Sequence, residues 1–170
     1  QIFHFENCFS TNDEILSLLN EDESTAVFTF NQTKGRGQYG NIWKVIPNQN
    51  LAYSIAIKTS NIRISDTFLN YYTAIIVRDF LANLTNASCK IKWPNDIILN
   101  GKKGCGILIE KKKVENVEYY ILGIGINVLQ TDFTNLPKAG SVLTATDLSF
   151  DLKEFTNQFH QYLISRIQDI

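Results

Sequence analysis

Eight of the nine glycines in this chain fall in three short segments, each at or beside a stretch that reads as a β-strand. The segments are residues 34–43 (Lys-Gly-Arg-Gly-Gln-Tyr-Gly-Asn-Ile-Trp), residues 101–106 and residues 123–125. Glycine has no Cβ, so the backbone can curl at positive φ and a ligand can approach it closely. Ordinary turn usage would scatter glycines more widely. The clustering therefore favours one ligand site lined by backbone over three unrelated turns.

The rest of the pattern predicts strands interleaved with a few helices. Runs rich in β-branched and aromatic residues predict strands at 2–5, 25–30, 51–57, 89–93, 97–99, 105–110 and 119–128. Apolar residues recur at helical spacing from Asp66 to Leu84, which predicts a long helix lying against the sheet. A short helix is expected after residues 10–13. A loop is expected after Pro137, and a last helix is expected to open at 146–149.

Composition narrows the class of protein. The chain has 170 residues, 44% of them hydrophobic and 19% charged, values that suit one globular domain. A net charge of −1 argues against a broad basic surface for nucleic acid, although a local basic site stays open. The three cysteines are far apart and form no Cys-x-x-Cys pair, so neither a zinc site nor a disulfide framework is predicted. No stretch resembles a signal peptide or a membrane span, and we expect a reducing, cytoplasmic setting.

Charged residues accompany the glycine segments. They are Arg36, Lys92, Asp96, Lys102 and Lys103. Several cations, one carboxylate and exposed backbone N–H groups are what a nucleotide phosphate with magnesium requires. The sequence therefore predicts a nucleotide site in which the protein supplies charge and position.

Familiar nucleotide motifs do not explain this pattern. Gly-x-Gly-x-x-Gly occurs at 35–40, but a polar loop and a strand follow it instead of the helix that a dinucleotide fold requires. The chain has no P-loop motif, no protein-kinase signature and no evident Ser–His–Asp set. The remaining chemistry, positioning and electrostatics without a protein nucleophile, suits acyl-adenylate formation, in which a carboxylate attacks the α-phosphate of ATP.

Four motifs resemble, in order, those of the catalytic domain of biotin–protein ligases. They are Gly35-Arg36-Gly37 with Gly40 and Trp43; Lys92-Trp93-Pro94-Asn95-Asp96; Lys103-Gly104-Cys105-Gly106-Ile107-Leu108-Ile109-Glu110; and Gly123-Ile124-Gly125-Ile126-Asn127. The resemblance covers nearly the whole chain and implies an α/β (α+β) fold. That fold is a mixed β-sheet packed by helices, similar to class II aminoacyl-tRNA synthetases, in a single catalytic domain. It also implies an enzyme that forms biotinyl-5′-AMP from biotin and MgATP and then transfers biotin to a lysine of a biotin carboxyl carrier protein.

The resemblance further implies roles for individual positions. The catalytic set is Arg36, Lys92, Asp96 and Lys103, with Asp96 as the carboxylate expected to hold magnesium or to receive the acceptor lysine. The biotin-binding set is Ser10, Thr11, Asn12, Gln32, Gly35, Arg36, Gly37, Gln38, Trp93, Lys103, Gly106, Gly123 and Gly125. The nucleotide-binding set is Arg36, Gly40, Asn41, Trp43, Asn95 and Asn127.

The chain departs from the family pattern in two respects. In the best-known members the loop reads Gly-Arg-Gly-Arg-Arg-Gly-Arg, whereas the later arginine positions here are Gln38, Tyr39 and Asn41. Glutamine cannot hold an anion as arginine does, so we expect faster release of biotinyl-AMP. We also expect no helix-turn-helix before Ile2, hence no DNA repression, and we expect the small C-terminal β-barrel to be absent or trimmed.

Two alternatives remain at this stage. A lipoate–protein ligase shares the fold and the chemistry, but its usual Arg-Arg-x-x-Gly-Gly-Gly loop is not found. The second alternative is a non-catalytic domain that binds biotin or a nucleotide. The expected partners are biotin, ATP and a carrier protein, with a homodimer allowed and no DNA or membrane.

Overall fold

The computed structural model describes residues 1–20, 24–167 and 170. The strands are β1 (Ile2–His4), β2 (Thr25–Thr29), β3 (Gly35–Arg36), β4 (Ile42–Trp43), β5 (Asn50–Lys58), β6 (Cys89–Lys92), β7 (Asp96–Leu99), β8 (Lys102–Val114) and β9 (Val117–Asn127). The α-helices are α1 (Thr11–Glu14), α2 (Asp66–Thr85), α3 (Val142–Thr146) and α4 (Leu152–Ile167). Seven strands form a sheet in the order β1-β2-β5-β9-β8-β7-β6, and β3 and β4 form a separate pair.

The large sheet is mixed. Strands β1 and β2 run parallel, whereas β2 with β5, β6 with β7 and β7 with β8 are antiparallel. Asn100 and Gly101 turn the chain between β7 and β8 with φ of 45° and 86°, as the Asn-Gly signal predicts. The α/β class and the mixed sheet packed by helices are thus confirmed.

The chain divides into two compact units, and the first comprises residues 1–63 and 107–125. Its core includes the buried side chains of Ile15, Val27, Ala56, Tyr119 and Ile121. Ile15 opens a 3-10 turn that continues α1, so this short helical segment is anchored by burial of its apolar side chain between strand residues. Anchoring the segment fixes the polar residues Ser10, Thr11 and Asn12 at its start.

The second unit comprises residues 64–106 and 126–170. Helix α2 packs on α4 through aromatic contacts, with the Phe80 ring 5.5 Å from that of Phe155 and 5.2 Å from that of Phe159. The Ser65 hydroxyl accepts a hydrogen bond from the N–H of Phe68 and caps α2. The observed start of α2 at Asp66 agrees with the predicted one.

The end of the chain differs from its prediction in one element. Residues 142–146 form α3, where a loop was predicted, and Thr146 ends this helix and does not open the last one. The Ser141 hydroxyl accepts from the N–H of Thr144, and the Thr144 hydroxyl accepts from the N–H of Ser141. This reciprocal capping was missed because a threonine stands where the usual signature has Glu or Gln. Helix α4 follows Asp151, whose Oδ1 accepts from the N–H of Glu154.

Among the described residues, no helix has both the length and the apolar character that a bilayer crossing requires.

Candidate functional site

A buried group of hydroxyl and amide side chains lies in the first unit. The Ser54 hydroxyl on β5 donates to Asn12 Oδ1 at 2.6 Å and lies 2.7 Å from Thr11 Oγ1. Gln32 Oε1 accepts from the backbone N–H of Thr11 at 2.9 Å and from its hydroxyl at 3.3 Å. Ser10 is also buried, and its carbonyl accepts from the N–H groups of Asp13 and Glu14, both at 3.0 Å. The structure therefore brings together Thr11, Asn12 and Gln32, as a shared site requires.

Two glycines of β9 let side chains lie directly on the strand. A Cβ at Gly123 would collide with Asn12 Oδ1, and a Cβ at Gly125 would lie 2.5 Å from Trp43 Cε2. Asn12 and Trp43 therefore need glycine at these positions, because real Cβ atoms do not approach so closely. In this structure the side chains of Asn12 and Trp43 thus cover the strand at Gly123 and Gly125, the two positions predicted to form a backbone wall.

The glycine loop folds as a hairpin. Gly35 pairs with Trp43 and Arg36 with Ile42, and the Gly37 N–H donates to the Asn41 carbonyl at 2.7 Å. Tyr39 and Gly40 turn the chain with φ of 57° and 78°. Strand β4 follows the glycines, so the absence of a dinucleotide-type helix at this position is confirmed. Gln38 and Gly40 lie in the turn, whereas Gly35 and Arg36 lie on its first strand.

Arg36 is held by two carboxylates. Its Nη1 donates to Asp13 Oδ2 at 2.6 Å and its Nη2 to Asp13 Oδ1 at 2.8 Å. Its Nη2 also lies 3.3 Å from Glu110 Oε2. Such fork-to-fork geometry is the mode in which arginine binds carboxylates and phosphates. The loop arginine thus already presents the arrangement that an anionic ligand would need.

These ion pairs shift the ionisation of their members. The hydrogen bond from Arg36 holds the pKa of Asp13 below its ordinary value and raises that of Arg36 itself. Burial raises the pKa of Glu110, but the hydrogen bond from Asn12 and the charges of Lys112 and Arg36 outweigh it, so the net shift is downward. Both carboxylates are therefore ionised at neutral pH.

The second unit holds a cluster of two lysines around one carboxylate. Lys103 Nζ lies 2.7 Å from Asp96 Oδ1, and Lys92 Nζ lies 3.8 Å from Asp96 Oδ2. The Asp96 side chain is only 13% exposed, whereas that of Lys92 is 71% exposed. Two cations thus share one carboxylate, and the three predicted catalytic residues of this unit lie together around Asp96.

The backbone of Lys103 is fixed from both sides. Its N–H donates to the Lys138 carbonyl at 2.8 Å, and its carbonyl accepts from the Gly140 N–H at 3.0 Å. Asn127 Nδ2 donates to the Gly140 carbonyl at 3.0 Å, in a buried position. In this structure the Asn127 amide, expected to contact the nucleotide, thus supports the segment that carries Lys103.

The other predicted residues of this unit are less enclosed. Trp93 is 63% exposed, and its ring lies 6.4 Å from that of Tyr71. Asn95 lies in the turn between β6 and β7, and Gly106 on β8 pairs with Asp96 on β7.

The residues offer limited support for a resident metal. Among those that the structure describes, no group of three His, Cys, Asp or Glu side chains could hold an ion. Asp96 is already neutralised by Lys103 and Lys92. Magnesium commonly takes one or two protein carboxylates and completes its shell with water and substrate phosphates. The donor set thus fits magnesium only as part of a phosphate complex, with Asp96 as one ligand.

The sequence did not identify three polar residues that contact the predicted site residues of the first unit: Ser54, Asp13 and Glu110. Ser54 could have been noticed as the polar residue inside the apolar run 51–57, and Glu110 as the charge that ends the run 107–110. Asp13 had no such signal, since an acidic residue in a first helical turn is ordinary.

Comparison with known proteins identifies the class. Residues 7–127 match the Biotin/lipoate A/B protein ligase family, and the chain belongs to that family. The chain is 35% identical over 112 residues to the bifunctional ligase/repressor BirA of Bacillus subtilis, a match covering 65% of this chain and 34% of that protein. It is 33% identical over 137 residues to the biotin–[acetyl-CoA-carboxylase] ligase of Paracoccus denitrificans, covering 78% of this chain and 55% of that protein.

Solved structures agree on the fold. The biotin protein ligase of Aquifex aeolicus, in complex with biotin and ATP, superposes with a TM-score of 0.84 at 24% identity. The superposition covers 99% of this chain and 70% of that one. The matched part of this chain spans about a third of the Bacillus protein and about half of the Paracoccus protein.

Proposed function

We propose that this chain is an ATP-dependent biotin–protein ligase. It would form biotinyl-5′-AMP from biotin and ATP and pass the biotinyl group to a lysine of a biotin carboxyl carrier protein. The names of its relatives support this reading, as do the two sets of polar residues described above.

The observation that carries the proposal is the group formed by buried Thr11, Asn12 and Ser54 and half-buried Gln32, with Arg36 joined to it through Glu110. Biotin has a ureido ring that donates and accepts hydrogen bonds, and a chain that ends in a carboxylate. Uncharged amides and hydroxyls suit the ring, and an arginine fork suits the carboxylate. The dithiolane ring of lipoate has no strong hydrogen-bond donor or acceptor, so it would not complement these amides and hydroxyls as a ureido ring would.

The first half-reaction is an attack by a biotin carboxylate oxygen on the α-phosphorus of ATP. A new O–P bond forms, the bond to the bridging oxygen of the β-phosphate breaks, and pyrophosphate leaves with the electron pair. Lys103 would neutralise charge that grows on the α-phosphate, since its backbone is fixed and its Nζ lies beside Asp96. Arg36 would hold the attacking carboxylate in place, exchanging Asp13 for the ligand.

The second half-reaction is an attack by the carrier lysine on the biotinyl carbonyl carbon. A C–N bond forms, the C–O bond to phosphate breaks, and AMP leaves with the electron pair. The attacking amine must first lose a proton. Asp96 is the nearest carboxylate to Lys103 and Lys92, and we assign it as the proton acceptor. Magnesium, when bound with ATP, supplies neutralisation of the triphosphate charge.

The test is pyrophosphate exchange with biotin and, separately, with lipoate. We expect exchange with biotin but not with lipoate. The exchange rate should fall on the order of 10²-fold in Lys103→Ala, as for removal of a main electrostatic stabiliser. Lys113→Ala is the matched control, because Lys113 is an exposed lysine of the same strand. Lipoate dependence would replace the proposal by a lipoate ligase, and biotin binding without exchange would leave a non-catalytic binding domain.

A further inference from the structure

Glu110 accepts from two predicted ligand-binding residues through one oxygen atom. Its Oε2 accepts from Asn12 Nδ2 at 2.8 Å and lies 3.3 Å from Arg36 Nη2. Its other oxygen, Oε1, lies 3.3 Å from Lys112 Nζ. The Glu110 side chain is 22% exposed, so solvent weakens these contacts less than those of the more exposed Arg36–Asp13 pair.

The carboxylate determines which way the Asn12 amide points. The two ends of an asparagine amide have almost the same shape, so only hydrogen-bond partners distinguish them. The Ser54 hydroxyl can donate or accept and therefore does not choose an orientation. An ionised carboxylate only accepts, so Glu110 requires Asn12 Nδ2 on its own side and places Oδ1 over Gly123.

The same oxygen constrains Arg36. Asp13 engages both terminal nitrogens of the guanidinium, and Glu110 contacts only Nη2. A ligand that displaces Asp13 would leave the Glu110 contact in place. The arginine would then stay next to Asn12 while its fork becomes available.

We infer that Glu110 is a positioning residue that couples recognition of the biotin ring by Asn12 to recognition of the carboxylate or phosphate by Arg36. The inference rests on the proposed function and extends it, since ring binding and anion binding are then not independent. Lys112 and Arg36 are in contact with Glu110, and Asp13 lies on the other side of Arg36. The hydrogen bond from Asn12 and the two cations together keep the pKa of Glu110 low.

Glu110→Gln isolates this role from a structural one. Glutamine keeps the length and shape of the side chain but replaces one acceptor oxygen by a donor. Either that donor faces Asn12 and Arg36, which are donors themselves, or it faces Lys112 and leaves only an uncharged oxygen to accept from Asn12 and Arg36. Calorimetric titration with biotin should show binding weakened at least about tenfold, the effect of losing a charge-assisted hydrogen bond. Lys112→Gln, which removes only the contact on Oε1, should change the affinity by less than about threefold.

A double-mutant cycle tests the coupling directly. Asn12→Ala and Arg36→Ala, alone and together, should weaken biotin binding non-additively in the wild-type background and additively in the Glu110→Gln background. Additive effects in the wild-type background, or unchanged affinity of Glu110→Gln, would overturn the inference. The urea midpoint of each variant checks that the fold is intact.

A ligand-free readout separates this inference from the proposed function. If the wild type does not bind biotin, the function fails, but the side-chain amide signal of Asn12 in NMR still reports its partner. That signal should move in Glu110→Gln and stay in place in Lys112→Gln. If Glu110→Gln does not fold, the Asp13→Asn variant is titrated with acid instead, so that Asp13 does not contribute to the titration. The Asn12 amide signal must then move as Glu110 becomes protonated. An Asn12 signal that stays in place as Glu110 is neutralised would refute the positioning role.

Discussion

Arg36 and Asp13 form a bidentate ion pair, with Nη1 2.6 Å from Oδ2 and Nη2 2.8 Å from Oδ1. The carboxylate of Asp13 therefore occupies the guanidinium fork in the geometry that a ligand carboxylate or phosphate would adopt. A bound anion must displace the Asp13 carboxylate, so the free energy of breaking this ion pair reduces the affinity for the ligand.

Removing that competitor should strengthen ligand binding. Asp13→Asn is expected to tighten biotinyl-AMP binding about two- to fivefold, since exposed ion pairs of this kind contribute up to about 1 kcal/mol. The measurement is the equilibrium dissociation constant of the adenylate. Asp79→Asn is the matched control, because Asp79 pairs with the exposed Arg78 on α2. Weaker binding by Asp13→Asn would mean that Asp13 orients the arginine and does not compete with the ligand.

Gly125 should control the position of the Trp43 indole. An alanine there would place Cβ 2.5 Å from Trp43 Cε2 and force the ring away from β9. In a Trp93→Phe background Trp43 is the one remaining tryptophan, and its emission should shift to longer wavelength when Gly125 becomes Ala. Gly104→Ala creates an equally close contact, with Leu99, and serves as the control. Identical spectra of the two alanine variants would contradict the packing of Trp43 on Gly125.

Gln38→Arg should slow release of the adenylate. Gln38 lies in the turn between β3 and β4, at a position where the best-known relatives carry an arginine, and an added cation there would attract phosphate. We expect the off-rate of biotinyl-AMP to fall about three- to tenfold. Gln158→Arg adds the same charge on the exposed face of α4 and should leave the rate unchanged. Equal off-rates for wild type and Gln38→Arg would show that the loop does not retain the adenylate by charge.

Acid should destabilise the protein partly through Asp13 and Glu110. Both have folded-state pKa values below their ordinary values of 3.8 and 4.5. The two ionised carboxylates contribute fully to the free energy of unfolding at pH values above their ordinary pKa values. That contribution is lost as the pH falls through their lowered folded-state pKa values. Urea midpoints from neutral pH down to about pH 3 should fall less steeply in Arg36→Gln, because Arg36 is the main cause of the Asp13 shift. Parallel curves would indicate that the pair does not contribute to folding stability.

Local signals were enough to predict most elements of the fold. Runs of β-branched and aromatic residues identify the strands, the spacing from Asp66 onward identifies α2, and Asn100-Gly101 identifies a tight turn. Helix α3 escaped prediction because its cap uses Thr144 in place of an acidic residue or glutamine. Such boundaries depend on one or two side chains and not on a periodic pattern.

The partners of the site residues could not be predicted in the same way. Arg36 meets Asp13 across 23 residues and Glu110 across 74, and Asn12 meets Glu110 across 98. No periodicity relates residues that distant, since a helix or strand pattern fixes only near neighbours on one face. The motifs therefore identified Asn12 and Arg36 as candidates but not the carboxylate that joins them.

The interleaving of the two units along the chain has a consequence for inheritance. The first unit is made of residues 1–63 and 107–125, and the second of 64–106 and 126–170. A break between residues 106 and 107 would leave Asn12 and Arg36 on the first segment and their partner Glu110 on the second. Neither unit can be exchanged between genes by a single recombination event, so both are expected to evolve as one inherited block.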